Sequence, residues 1–224
     1  MPTLKIVSIN RIDLQKSSAK HVILIPIRSF SDSKSRLAAV LSPSERADLI
    51  AFCSKRVLSA AGELPKIVIS SDPTVRDFAQ NLGCEVIRDN GEGLSSAVQH
   101  AYELVAGRGA KHVTVAHADL PLAEDLTTLI REGAVTIVPD RNHDGTNVIS
   151  LPTESGFRFA YGPNSFERHL REAARLNLGI SINENPQLTM DIDTPEDLLR
   201  LFGESDFDLE ARGVDTRLDL PDSI

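Results

Sequence analysis

Short, almost wholly apolar runs alternating with helix-spaced segments are what most restrict the fold of this chain. The clearest run, 21-HVILIPI-27, shows no polar–apolar alternation. A strand with one wet face alternates with period two, so a run that does not is a strand covered on both faces. Helices must supply the cover. One is expected over 43–62, where Pro43 follows a capping Ser42, and another over 73–83, closed by Gly83. Strands 66–71 and 84–89 flank that second helix. A helix over 94–109, a central strand 112–119 and a Pro-started helix over 121–133 continue the pattern. Then come strands 134–140 and 147–152, a helix over 164–177, strands 179–185 and 188–193, and a Pro-started helix over 195–203. Alternation of this kind implies an α/β fold, with a mainly parallel sheet between two helical layers.

At 224 residues the chain is sized for one domain, here 21–203, with an N-terminal extension over 1–20 and an acidic tail over 204–224. Lys and Arg total 24 against 32 Asp and Glu, and the net charge of −8 is unsuited to coating nucleic acid or an anionic membrane. Aromatic residues make up 4% with no Trp, which leaves no stacking platform for single-stranded nucleic acid. No apolar run approaches a membrane span, and residues 1–20 lack the apolar centre of a signal peptide. Cys53 and Cys84 show no CxxC spacing and sit in apolar or amphipathic stretches. They read as reduced, buried thiols, consistent with a cytoplasmic address.

Ligands in such folds gather at the carboxyl ends of the strands, and the polar segments that could carry chemistry fall there. The first, 28-RSFSDSKSRL-37, places Arg28, Lys34 and Arg36 among serines. It suits a polyphosphate, or is a solvated basic helix start; the glycine patterns of a P-loop and of a dinucleotide fold are absent. Asp119, in 115-VAHADLP-121, ends the central strand and is either a ligand for a hard cation or a helix cap. Asp191 and Asp193 share one face of an extended segment, and two such carboxylates repel unless a cation lies between them. The alternative divides the pair, with Asp193 capping the helix that starts at Pro195. Segments 139-PDRNHDGTNVI-149 and 161-YGPNSFERH-169 bring Thr146, Asn147, Gly162 and Ser165 beside a helix start, as an anion site or as two ordinary turns. The loop 89-DNGEGLSSA-97 either follows the edge of a base or merely joins strand to helix. His117, on an alternating strand, reads as packed rather than catalytic.

Taken in order, 34-KSRL-37, 93-GLSSA-97, 118-ADLP-121, 139-PDRNHDGTN-147, 161-YGPNSFERH-169 and 191-DIDTPEDL-198 resemble the CofC/FbiD family. These are the guanylyltransferases of deazaflavin coenzyme F-420 biosynthesis, within the MobA-like nucleotidyltransferase superfamily. The resemblance runs from about His21 to Leu201. It implies a Rossmann-like, GT-A-like three-layer α/β/α domain. It also implies a reaction in which a phosphorylated three-carbon acid attacks the α-phosphorus of GTP and pyrophosphate leaves. The acid would be phosphoenolpyruvate, 2-phospho-L-lactate or 3-phospho-D-glycerate, and the product would pass to a downstream transferase. By the same resemblance Asp119, Asp191 and Asp193 hold Mg2+, with Asp119 counted as catalytic beside Lys34 and Arg36, which grip the GTP phosphates. Arg28, Thr146, Asn147, Gly162 and Ser165 bind the acid, and Asn90, Gly93 and Leu94 the nucleotide. The family commonly has Lys where Arg28 stands, and the polar His143-Asp144 pair is a further departure. Two other readings stay open: a related enzyme acting on a molybdopterin or sugar phosphate, and a nucleotide-binding module without catalysis. Assembly is open as well, a homodimer included.

Overall fold

The computed structural model describes residues 20–30 and 34–203. Most of the expected N-terminal extension and the whole acidic tail therefore lie outside the described residues, as do Ser31, Asp32 and Ser33. The strands are β1 (His21–Pro26), β2 (Lys66–Ile69), β3 (Glu85–Ile87), β4 (His112–Ala116), β5 (Ala134–Pro139), β6 (Thr146–Pro152) and β7 (Gly179–Ile182). The helices are α1 (Pro43–Ala60), α2 (Pro73–Asn81), α3 (Leu94–Gly107), α4 (Ser165–Arg175), α5 (Pro186–Thr189) and α6 (Pro195–Phe202). All seven strands form one sheet in the order β3-β2-β1-β4-β6-β5-β7.

The apolar run of β1 divides as a doubly covered strand must. Val22 and Leu24 enter one core, shared with Val98, Ala101 and Tyr102 of α3, while Ile23 and Ile25 enter the other, shared with Ile50 and Val57 of α1. A third cluster joins Leu37, Leu49 and Cys53 to Met190, Ile192 and Leu198, packing the aspartate-bearing segment against α1. Both cysteines are free and buried. Capping is local and strong: Ser42 and Glu45 form a reciprocal capping box ahead of Pro43 on α1, and Asp72 accepts from Thr74 and Val75 on α2. Among the described residues no helix is long and apolar enough to cross a membrane.

β6 runs antiparallel to both its neighbours, whereas every other pairing in the sheet is parallel. Its amino end, at Thr146, therefore lies at the same edge as the carboxyl ends of the parallel strands. That reversal brings the segments singled out in the sequence to one side of the sheet.

Two expected elements are different. The helix over 121–133 is absent: its only helical part is a 3-10 turn at Thr127–Leu129. Leu120, Ala123, Leu126 and Leu129 are all buried, and apolar residues every third position match a tighter coil than the α-helix. Asp125 also diverts the backbone, accepting from Thr127 N–H at 2.8 Å and from the Thr127 hydroxyl at 2.6 Å. The strand expected over 188–193 begins as the short α5, and residues 190–193 run on without joining the sheet.

Candidate active site

β4 leaves the sheet at Ala116, and the next turns are set by burial: Ala118 and Leu120 enter the core, with Asp119 between them at the sheet edge. The segment after α5 returns to this point. Ile192 N–H donates to the Asp119 carbonyl at 3.2 Å, and the Ile192 side chain is fully buried. In extended chain its neighbours project to the opposite side, so Asp191 and Asp193 flank it together without any sheet ladder. One carboxylate oxygen from each of Asp119, Asp191 and Asp193 lies within 4.8 Å of the others.

Lys34 Nζ donates to Asp119 Oδ2 at 2.6 Å and also to Asp193 Oδ1. Arg36 stands 3.9 Å from Asp193. Lys34 has a left-handed backbone, φ 57°, immediately before a 3-10 turn at Ser35–Ala39 that is anchored by the fully buried Leu37. Burial opposes the Lys34 charge, yet Asp119 and Asp193 outweigh it and hold the ammonium protonated well above its usual range. Burial likewise works against Asp119, and Lys34 keeps that carboxyl below its ordinary value. Asp191 forms neither of these ion pairs. Burial, then the charges of Asp119 and Asp193, push its pKa up to about 6. Asp119 Oδ1 is buried without a hydrogen-bond partner. Converging carboxylates with one orphaned oxygen and one strained charge fit a hard divalent cation.

Asp197 fixes this loop from behind. It is 4% exposed, and its Oδ2 accepts from Asp193 N–H at 2.9 Å and Thr194 N–H at 2.8 Å. Its Oδ1 accepts from Arg141, in the β5–β6 turn. Thr194, rather than Asp193, caps α6.

The β5–β6 turn is wound around Asp140, which accepts from the N–H groups of Asn142 (3.0 Å), Asp144 (2.9 Å) and Gly145 (2.8 Å). A Cβ at Gly145 would stand 2.8 Å from Asp140 Oδ2, so any side chain there would push on the carboxylate that winds the turn. Asp144 then docks the turn on the start of α4, its Oδ1 accepting from Asn164 N–H (2.9 Å) and its carbonyl from Phe166 N–H (3.2 Å). Thr146, Ser165 and His169 meet as a result, all buried. Ser165 Oγ donates to Thr146 Oγ1 at 3.4 Å, and His169 Nδ1 lies 3.0 Å from the same oxygen. Gly162 (φ 105°) turns the chain into α4 and accepts from Ser165 N–H at 3.0 Å.

A cavity of about 560 Å³ opens beside the triad, bounded by Arg28, Ser71, Asp89, Gly93, Leu94 and Asp119 among others. α3 begins there at Gly93 (φ 97°) with no side-chain cap, which leaves its first N–H groups for an anionic or polar ligand.

The family model described as "Guanylyl transferase CofC like" matches residues 21–208. The chain belongs to the CofC-like guanylyl transferases. A phosphoenolpyruvate guanylyltransferase of Rubrobacter xylanophilus is 36% identical over 187 residues, covering 80% of this chain and 91% of that protein. A 2-phospho-L-lactate guanylyltransferase of Methanocaldococcus jannaschii is 33% identical over 189 residues, covering 82% and 83%. Among solved structures, a nucleotidyl transferase from Methanothermobacter thermautotroptrophicus aligns with a TM-score of 0.58 at 15% identity, over 80% of this chain and 94% of that one. The 4-diphosphocytidyl-2C-methyl-D-erythritol synthase of Anaerococcus prevotii gives 0.54 at 9% identity, over 82% and 97%. At such identities the likeness is one of fold, the nucleotidyltransferase-like α/β fold. The chain is a nucleotidyltransferase enzyme.

In this CofC-like enzyme the expected residues fall into three groups. Lys34 and Arg36 sit with Asp119, Asp191 and Asp193 at the triad. Thr146, Gly162 and Ser165 form the second group at the start of α4. Arg28, Gly93 and Leu94 line the cavity. Two expected residues face elsewhere: Asn147 donates to the Leu188 carbonyl at 3.1 Å, propping α5, and Asn90 donates to Glu92 and Ser96, each at 3.0 Å. Sequence reasoning read His117 as merely packed and passed over three further residues. His117 lines the cavity, and its Nε2 is buried without a partner. Arg141, Asp197 and His169 are all in quoted motifs, but only the pairing of distant segments shows what they hold.

Proposed function

We propose that this enzyme transfers GMP from GTP to a phosphorylated three-carbon acid and releases pyrophosphate, as a step in coenzyme F-420 biosynthesis. What carries the reading is one sheet edge that holds a carboxylate triad, an open cavity bounded in part by Asp119, and a cluster of small hydroxyl and glycine residues. Relatives at 36% and 33% identity, named for phosphoenolpyruvate and 2-phospho-L-lactate, support the choice of acid. Both acids carry a phosphate beside a carboxylate, the chemistry that Thr146, Ser165 and the Gly162 turn suit.

The reaction is a substitution at phosphorus. A phosphate oxygen of the acid attacks the α-phosphorus of GTP. The bond from that phosphorus to the bridging oxygen breaks, and the electron pair leaves with pyrophosphate. The attacking phosphate is ionised near neutral pH, so no side chain need act as a base; the task is positioning and charge neutralisation. Asp119, Asp191 and Asp193 would hold Mg2+, which when bound neutralises phosphate oxygens and polarises the phosphorus. Lys34 and Arg36 add fixed positive charge against the triphosphate; Arg28, expected to bind the acid, stands instead on the cavity wall with Gly93 and Leu94 and adds charge there. The uncapped start of α3, at Gly93 and Leu94, receives the nucleotide, with Asn90 bracing its loop. Asn147 acts through Leu188, keeping the aspartate segment in place. Residues 21–203 form the catalytic domain in this reading, the enzyme is cytoplasmic, and its guanosine diphosphate-linked product goes to the transferase that builds the cofactor.

Pyrophosphate release tests it. With Mg2+, GTP and each of phosphoenolpyruvate, 2-phospho-L-lactate and 3-phospho-D-glycerate in turn, one acid should give release that ATP and CTP do not support. Release that is independent of all three acids, or silence with every one, would overturn the proposal.

A further inference from the structure

The hydrogens around Thr146 Oγ1 can be assigned from its neighbours. The backbone N–H of Ala160 donates to His169 Nε2 at 2.9 Å, so Nε2 presents its lone pair. In a neutral imidazole the proton then sits on Nδ1, 3.0 Å from Thr146 Oγ1. The ring is kept neutral because it is fully buried. Burial first, then Arg168 and His117, lower its pKa to about 4, with Glu172 pulling the other way. Phe157, Phe159 and Tyr161 surround it, at centroid distances of 5.8, 6.3 and 5.0 Å, and fix its plane.

Thr146 Oγ1 therefore accepts from His169, and it accepts again from Ser165 Oγ at 3.4 Å. Both lone pairs are engaged. The hydroxyl proton is left to be donated, where β6, the Gly162 turn and α4 meet. With the other tautomer the threonine would have to donate to the ring and would turn a lone pair outward, which repels an anion.

We propose that His169 is a positioning residue that makes Thr146 a hydrogen-bond donor to an anionic oxygen of the acid substrate. This deepens the proposed function and rests on it for the identity of the ligand.

Two measurements test it. Nitrogen-15 histidine NMR of the full chain at pH 7 should report His169 as the Nδ1–H tautomer; an Nε2–H tautomer or an imidazolium would overturn the proposal. Kinetics then separates the two ring nitrogens. His169→Asn keeps an N–H donor near the Nδ1 position, whereas His169→Gln places its amide near Nε2 and loses the donor to Thr146. Both remove the ring from the core, so a purely structural role would affect them alike. H169Q should raise the KM for the acid by roughly tenfold to a hundredfold, with the KM for GTP unchanged. H169N should stay within about threefold of wild type, since a one-donor replacement preserves the hydrogen bond. Thr146→Val should reproduce the H169Q loss, and the double variant should add nothing. Equal acid KM values in H169N and H169Q, or a loss shared equally by GTP, would overturn the proposal. If the wild-type chain turns over no acid, the functional reading fails, and the NMR result still decides the state of the Thr146 hydroxyl.

Discussion

Asp191 bears the cost of the triad. Lys34 pairs with both Asp119 and Asp193 but offsets only one of their charges, while Asp191 sits half-buried beside both and is pushed up to about 6. A carboxylate held against two others is destabilising until a cation joins them. Asp191→Asn keeps the shape and removes the charge. In EDTA it should be more stable than wild type, by on the order of 1 kcal/mol, while losing metal-dependent pyrophosphate release. Thermal melts in EDTA beside the turnover assay check both halves. A lower melting temperature would refute the repulsion, and wild-type turnover would refute the metal role.

The next scale is the way elements hold one another. Asp197, on the first turn of α6, ties three things to one carboxylate: the Asp193 N–H, its own helix cap and Arg141 from the β5–β6 turn. Removing it strands a guanidinium and two backbone donors in a largely buried place. Asp197→Ala should therefore cost roughly 3 kcal/mol in urea unfolding, and Arg141→Ala less, because the backbone donors keep their acceptor. Equal losses would mean that the ion pair, not the backbone anchoring, is what matters. This network also marks the limit of what the sequence discloses. Strands and capped helices are legible because they depend on near neighbours: the unalternating β1, Ser42 before Pro43, Gly83 closing the second helix. The Asp191–Asp193 face is legible for the same reason, since period two holds in any extended chain. The 121–133 segment misleads because Pro121 is a good helix starter, whereas the three-residue spacing of Leu120, Ala123, Leu126 and Leu129 is fixed by the core beneath it. Arg141 and Asp197 are 56 positions apart, and no local pattern announces such a pair. Asn147 and His169 are similar: their motifs were visible, but their partners, Leu188 and Ala160, are set by how β6 and α4 dock.

Across the whole molecule, β6 is the strand on which the site depends, because its reversal carries Thr146 to the active edge. A buried histidine braces it on each side. His112 Nε2 is 2.8 Å from Ser150 Oγ, and His169 Nδ1 is 3.0 Å from Thr146 Oγ1. Burial lowers each to about 4, helped by His21 for His112, and by Arg168 and His117 against Glu172 for His169. In the unfolded chain each returns to about 6.5. The sign follows: above pH 6.5 both states leave these rings neutral and nothing is lost. Between 6.5 and 4 the unfolded chain takes up protons that the folded chain refuses, so stability falls as the pH falls, by on the order of 3 kcal/mol per ring at the lower end. Asp119 and Asp197 are held below the usual carboxylate range, so their contribution is lost only at more acid pH, once unfolded carboxylates protonate. Asp191, raised to about 6, works the other way, because the folded chain takes up its proton before the unfolded chain does. It offsets only about one of the two rings, so denaturant unfolding from pH 7.5 down to 4.5 should still show a decline that begins near 6.5. His169→Asn, which has no group titrating in this window, should start lower at pH 7.5 but fall less steeply. A variant that declined as steeply as wild type would mean that His169 takes up its proton over the same range folded as unfolded, against the Ala160 N–H that faces Nε2.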